Sequence, residues 1–312
     1  MHQWHYDNPL HYYAMHGPIT APGAQAALLE RLPTDLPGLC RAFWGLLLHP
    51  VTARLLGLTL APARLGEQDL RFVAPMLARL HALDPRPLGT ARPPERRLVG
   101  NCRDFATLLC ATLRHQGRPA RARAGFATYL HPDLGIDHWL CEYWHTGAAR
   151  WAMVDPGFNL DTAQYDHSPR DFDPLDVPPS RFLVAGRAWQ QCRAGTANPD
   201  HFGIPGDTGL GYIGSQVARD LAALNKRELL CWDTWGLGHT AFAGIAPNEA
   251  ALLDRTAERT LAAADNATFP QLRALYETEP LLRVPAIIHS LDMAAGGRPL
   301  DVVALPDAVL AQ

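Results

Sequence analysis

The chain has 312 residues, 47% of them hydrophobic and 19% charged, with a formal net charge of −3. That balance excludes the basic surface expected of a nucleic-acid or anionic-membrane binder, and the longest apolar run, Phe43 to Leu48, is too short to cross a bilayer. The length allows one large domain or two ordinary ones with ample core.

The first residues, Met1-His2-Gln3-Trp4-His5-Tyr6, lack the basic and apolar regions of a signal peptide. Residues 1–22 are aromatic and aperiodic, and are expected to lie on the body as an extended arm. Helices are expected at Ala24–Leu32, Leu36–Leu48, Val51–Leu56 and Glu67–Leu83, the last with a kink at Pro75. A proline- and arginine-rich connector from Asp84 to Val99 leads into Gly100-Asn101-Cys102-Arg103-Asp104-Phe105. There the apolar spacing predicts a helix from Cys102 to Gln116, with Asn101 as N-cap, Asp104 complementing the dipole and Gly117 as the stop.

Strands follow. Ala120–Leu130 alternates, with Arg121 and Arg123 read as a solvated face; an anion-binding role for them is the less favoured reading. His138–His145 and Arg150–Asp155 form a hairpin across Thr146–Ala149. Residues 156–207 are proline-punctuated and resist assignment. Helices are expected at Ser215–Glu228, Asn248–Ala264 and Phe269–Glu277, with Trp232 and Trp235 as apolar anchors and a strand pair or docking segment between Leu281 and Leu310. The division expected is 1–98 as an N-terminal helical region, 99–160 as a catalytic core and 161–312 as a largely helical extension, with one integrated domain as the alternative.

A cysteine at a helix N-terminus sits where unpaired N–H groups and the macrodipole favour the thiolate. Such a nucleophile needs a base, and the base needs an orienting acceptor. If Thr146-Gly147 is a two-residue loop, paired residues sum to 293, and His138 lies across from Asp155. A longer loop slips the register by one pair and leaves the two as neighbours. Taken singly, each residue has a commoner structural role: a helix cysteine is usually core, and His138 and Asp155 stand at ordinary turn positions. The six cysteines (Cys40, Cys102, Cys110, Cys141, Cys192 and Cys231) show no CxxC pair, so reduced thiols, mostly buried, and a cytoplasmic setting are expected.

The block Gly-Asn-Cys102-Arg-Asp-Phe, Arg-His-Gln-Gly-Arg-Pro-Ala-Arg, Asp-His138-Trp and Arg-Trp-Ala-Met-Val-Asp155-Pro resembles the transglutaminase-like superfamily. The flanks, including Arg219-Asp220-Leu221 through Trp232-Asp233-Thr234-Trp235-Gly236, more faintly resemble bacterial relatives of it. The resemblance implies an α+β, papain-like core with a helix packed on an antiparallel sheet. It implies Cys102 as nucleophile, His138 as general base and acid, and Asp155 as orienter. The chemistry implied is acyl transfer from an amide of a peptide, protein or small molecule through a thioester, with no metal or organic cofactor. Calcium sites like those of animal transglutaminases have no visible counterpart. Asn101 and Trp139 are candidates for lining the site or donating to the oxyanion beside the Cys102 N–H, with Gln116 the weakest candidate. A deamidase or cysteine peptidase, or a non-catalytic interaction module on the same fold, are the alternatives.

Two further patterns compete. Gly209-Leu210-Gly211-Tyr212-Ile213-Gly214 is a literal G-x-G-x-x-G, but it follows a loop instead of a strand and reads as a flexible segment able to cover the site. His131, His138 and His145 with Cys141 suggest zinc, yet strand alternation turns 138 and 141 to opposite faces.

Overall fold

The computed structural model describes residues 8–158 and 171–310. The N-terminal third is built from short helices: α1 (Pro9–Ala14), α2 (Ala26–Leu29), α3 (Leu36–Leu46), α4 (Pro50–Leu55), α5 (Pro62–Leu65) and α6 (Val73–Leu83). Prolines open four of them within the first two positions, where a missing N–H costs no hydrogen bond. Asp35 closes the start of α3 by accepting from the Gly38 N–H at 2.8 Å.

Two short strands, β1 (Leu47–Leu48) and β2 (Leu98–Val99), pair in parallel and deliver the chain into α7 (Cys102–His115). The main sheet follows, with β3 (Ala120–Ala127), β4 (Gly135–His145), β5 (Arg150–Val154) and β6 (Phe182–Val184). After α8 (Ala185–Arg193) it is completed by β7 (Phe202–Ile204) and β8 (Asp207–Thr208). The strand order is β6-β3-β4-β7-β8, with β5 also on β4, antiparallel except where β4 meets β7. Helix α9 (Leu210–Leu224) packs beside β3, and α10 (Gly236–Thr240), α11 (Pro247–Leu261) and α12 (Phe269–Thr278) gather around it. The chain closes with the hairpin of β9 (Ile287–Asp292) and β10 (Arg298–Ala304), then α13 (Asp307–Leu310).

This is the expected α+β class, with a helix laid on an antiparallel sheet. Along α7 the residues Phe105, Leu108, Leu109 and Leu113 share a core with Ala122 and Trp139 of the sheet and with α3 and α6. A second core joins α8, α9, α11 and α12 to Tyr12 and Tyr13 of α1. Among the described residues no helix is long and apolar enough to cross a membrane.

Several expectations are corrected. The arm expected at residues 1–22 contains α1, because Asn8 caps it and Tyr12 and Tyr13 are buried; residues 1–7 lie outside the described ones. Pro75 does not kink a long helix: α6 begins only at Val73, so the proline sits in its first turn, where the missing N–H is harmless. Of the stretch left unassigned, residues 159–170 lie outside the described ones, and the remainder supplies β6, α8 and β7.

Arg121 and Arg123 are not a solvated face. Both are buried, Arg121 against Glu142 at 2.6 Å and Arg123 between Glu142 at 3.0 Å and Asp220 at 2.8 Å. Their carboxylate partners stand 19 to 97 residues away, beyond the reach of local pattern.

The G-x-G-x-x-G is not a flexible cover either. Gly209, at φ +112°, is the N-cap of α9, and the rest forms its first turns, five residues before the expected start at Ser215. A Cβ at Gly211 would collide with the backbone oxygen of Ala241, so the glycine is there for close packing. We expect Gly211→Ala to destabilise the protein by about 1–3 kcal/mol despite better helix propensity. A lower urea midpoint with undisturbed alkylation of Cys102 is the expected readout, and an unchanged midpoint would refute the packing role.

Candidate active site

The site is assembled at the start of α7. Asn101 adopts an extended conformation, and its Oδ1 accepts from the Arg103 N–H at 3.0 Å; Asp104 reaches back to the Asn101 N–H at 2.9 Å. This reciprocal cap fixes Cys102 as the first helical residue. The β1–β2 pairing, Leu48 with Val99, brings His49 beside it. Arg103, buried behind the thiol, bonds to Asp104 at 3.0 Å and to the carbonyls of Arg71 and Glu228, which anchors the helix start from below.

His138 and Asp155 come from β4 and its hairpin partner β5. The connection is the longer alternative, the four residues Thr146–Ala149: Thr146–Ala148 form a 3-10 turn and Ala149 takes a left-handed φ of 49°. The pairs are Cys141 with Val154 and Tyr143 with Ala152, so paired residues sum to 295, the slipped register. Asp155 therefore falls opposite Leu140, and His138 is its diagonal neighbour on the same face. The contact survives the slip: His138 Nε2 lies 2.8 Å from Asp155 Oδ2.

Asp155 is fully engaged. Its Oδ2 also accepts from the Tyr129 hydroxyl at 2.6 Å, and its Oδ1 from the Gly157 N–H at 2.9 Å. Burial alone would raise its pKa, but the His138 charge and these donors hold it below the usual carboxylate range. An ionised carboxylate only accepts, so the Nε2 of His138 carries the proton and Nδ1 is left for Cys102. Burial opposes a charged His138, yet Asp155 and the neighbouring thiolate raise its pKa well above the ordinary histidine value.

The Cys102 thiol is held well below the ordinary cysteine range, first by a hydrogen bond with Cys231, then, against burial, by the hydrogen bond and charge of His138. Cys231 is correspondingly pushed well up, by donating to Cys102 and by burial. Its sulfur is also 3.7 Å from Asn101 Oδ1. Close by, Asp137 is pushed up to about 6 by burial and by the Cys102 charge, and accepts from the Tyr212 hydroxyl at 2.8 Å. Burial keeps His49 neutral, its pKa lowered.

Cys102, His138 and Asp155 are thus brought together. Asn101 is beside the thiol but its Oδ1 serves as the cap, with a buried Nδ2 that has no partner. Trp139 is buried in the α7 core, its indole Nε1 also unpartnered. Gln116 is at the far end of α7, bonded to the Pro33 carbonyl at 2.9 Å, and takes no part. His131 and His145 each accept a backbone N–H in their own turns, at 3.1 and 3.0 Å, and do not join His138. Among the described residues no group of three His, Cys, Asp or Glu side chains converges as a metal site.

Sequence reasoning missed Cys231, Tyr129, His49 and Asp137. Only Asp137, adjacent to His138, was findable by proximity; the rest reach the site through tertiary structure.

A thiol at a helix N-terminus thus stands beside an imidazole oriented by a carboxylate, on a helix-and-sheet fold. Residues 84–156 match the model of the transglutaminase-like superfamily, and this segment contains Cys102, His138 and Asp155. The chain therefore carries a transglutaminase-like domain, of a superfamily that is generally enzymatic. No curated protein and no solved structure matches the chain.

Proposed function

We propose that the protein is a thiol-dependent amide hydrolase or acyltransferase. The Cys102 thiolate attacks a carboxamide carbon, forming the C–S bond. The tetrahedral oxyanion is met by the Cys102 N–H at the helix start, with Asn101 Nδ2 or Trp139 Nε1 as the second donor. Collapse breaks the C–N bond as the His138 imidazolium gives its proton to the departing nitrogen, leaving a thioester on Cys102 and neutral His138. His138 then deprotonates the acceptor. Water yields a carboxylic acid, as in a deamidase or peptidase; a primary amine yields a new amide. Asp155 keeps the ring oriented throughout and stabilises its charge.

The observation that carries this reading is the 2.8 Å His138–Asp155 contact beside a helix-start thiol of depressed pKa. A peptide, protein or small amide fits the chemistry, and the six free cysteines support a reducing, cytoplasmic setting.

The test is a set of glutaminyl and asparaginyl peptides incubated with and without a fluorescent primary amine. Ammonia release or amine incorporation is expected from the native protein, and a thioester adduct should be trapped on Cys102 by acid quench. Cys102→Ala should abolish both, a loss of at least about a thousandfold given the cost of deleting a nucleophile. Equal turnover by Cys102→Ala would overturn the reading.

A further inference from the structure

Two pairs of cysteines are neighbours in this protein, and they differ in kind. Cys110 and Cys141 have sulfurs 3.3 Å apart, but both are fully buried, one within α7 and the other within β4. Burial drives Cys141 well above the ordinary cysteine value, and with both sulfurs enclosed the pair offers no route for a solute. Cys102 and Cys231 are the opposite case. Both are only half-buried, and the Cys231 sulfur lies 3.7 Å from Oδ1 of Asn101, the cap residue directly before Cys102, close enough to help lower the Cys102 pKa.

Cys231 lies outside regular structure, in a turn closed by the Asp233 N–H to the Leu230 carbonyl at 3.1 Å and by Leu230 N–H to Asp233 Oδ2 at 3.0 Å. Asp233 is in turn clamped by Arg71 at 2.7 Å and Ser290 at 2.7 Å. The base of the turn is therefore fixed while its tip, carrying Cys231, is free of any ladder. Cys102 is at the first residue of a helix. Neither sulfur has to break a strand or a helix interior to reach bonding distance.

Amide chemistry does not require a second thiol. We propose that Cys102 and Cys231 form a hydroperoxide-reactive pair, in which Cys231 is the resolving thiol and a reversible disulfide is the product. The Cys102 thiolate attacks the terminal oxygen of a hydroperoxide: the S–O bond forms, the O–O bond breaks, and sulfur gives up two electrons to the peroxide. The alkoxide or hydroxide leaves as alcohol or water with the His138 proton, and Cys102 becomes a sulfenic acid. The Cys231 sulfur then attacks that sulfur, the S–S bond forms, and the hydroxyl leaves as water with the Cys231 proton. A dithiol reductant restores both thiols. The disulfide removes the amide nucleophile and protects it from oxidation to the irreversible sulfinic acid.

This inference rests on the Cys102 thiolate of the preceding section but not on amide turnover. The test treats the reduced, full-length protein with hydrogen peroxide, blocks remaining thiols with iodoacetamide, and maps peptides by mass spectrometry. A Cys102–Cys231 cross-link is expected, with complete loss of Cys102 alkylation that dithiothreitol reverses. In Cys231→Ser, a dimedone-trappable sulfenic acid should accumulate on Cys102 and pass to the sulfinic acid. If untreated Cys102 alkylates fast but peroxide gives sulfinic acid at the same rate in both proteins, with no cross-link, the resolving role is overturned and the thiolate stands. If Cys102 neither alkylates fast nor oxidises, both readings fall.

Discussion

At about pH 6, iodoacetamide should alkylate Cys102 nearly as fast as at about pH 8, whereas a free thiol of pKa about 8.5 loses roughly tenfold in thiolate for each unit of pH below that value. The sign follows from the two shifts. The Cys102 pKa is lowered, so its thiolate is present above that lowered value and is lost only as pH falls through it. The His138 pKa is raised, so its imidazolium persists until pH rises through that raised value. The ion pair occupies the window between them. His138→Ala removes the cation but leaves the Cys231 hydrogen bond, so the thiol should climb part of the way back. A slowing of roughly tenfold or more at about pH 6 is expected, with little change at high pH. Cys192 provides an internal reference: it too is half-buried, and burial pushes it up to about 11. Should Cys102 label no faster than Cys192, and ignore His138→Ala, the catalytic reading would lose its basis.

The second large effect is expected far from the thiol. Asp220→Ala should destabilise the protein by about 3–5 kcal/mol, because it strands a buried guanidinium. Arg123 is gripped on two sides by Asp220, through Nε at 2.9 Å and NH2 at 2.8 Å, and the same carboxylate accepts the Ala124 N–H at 3.1 Å. Of the carboxylates on Arg123 only Glu142 would remain, shared with Arg121, beside the Thr260 carbonyl at 3.2 Å. Since folded proteins are stable by about 5–15 kcal/mol, the variant would lose a large part of its margin. Urea unfolding measures this directly. Asp220→Asn, which keeps an acceptor, should cost less; a loss under about 1 kcal/mol in the alanine variant would mean that water replaces the carboxylate.

What could be read from the chain alone follows the range of the interactions involved. Helix α7 was legible to within one residue at its end because its cap, dipole and apolar period are local. The hairpin and its link Thr146–Ala149 were legible, though the shape of that link was not: Ala149 in a left-handed conformation carries no compositional signal. The His138–Asp155 contact was recoverable because a two-residue slip in register keeps both on one face. The buried arginines were misread, since nothing near Arg121 or Arg123 announces Glu142 or Asp220. Cys231 was one cysteine among six, and only the turn held by Asp233 carries it to the nucleophile.

That distance sets a timetable. The two groups that most lower the Cys102 pKa lie downstream of it, His138 36 positions on and Cys231 129 positions on. The helix bearing Cys102 is further pinned by Arg103 to the Glu228 carbonyl and by Arg114 to the Glu228 carboxylate at 3.0 Å. A ribosome must therefore complete most of the chain before these contacts can exist. Until then Cys102 is an ordinary thiol, slow toward electrophiles and oxidants alike. The growing polypeptide is thus spared a reactive sulfur during the period when it has no folded surface to shield it.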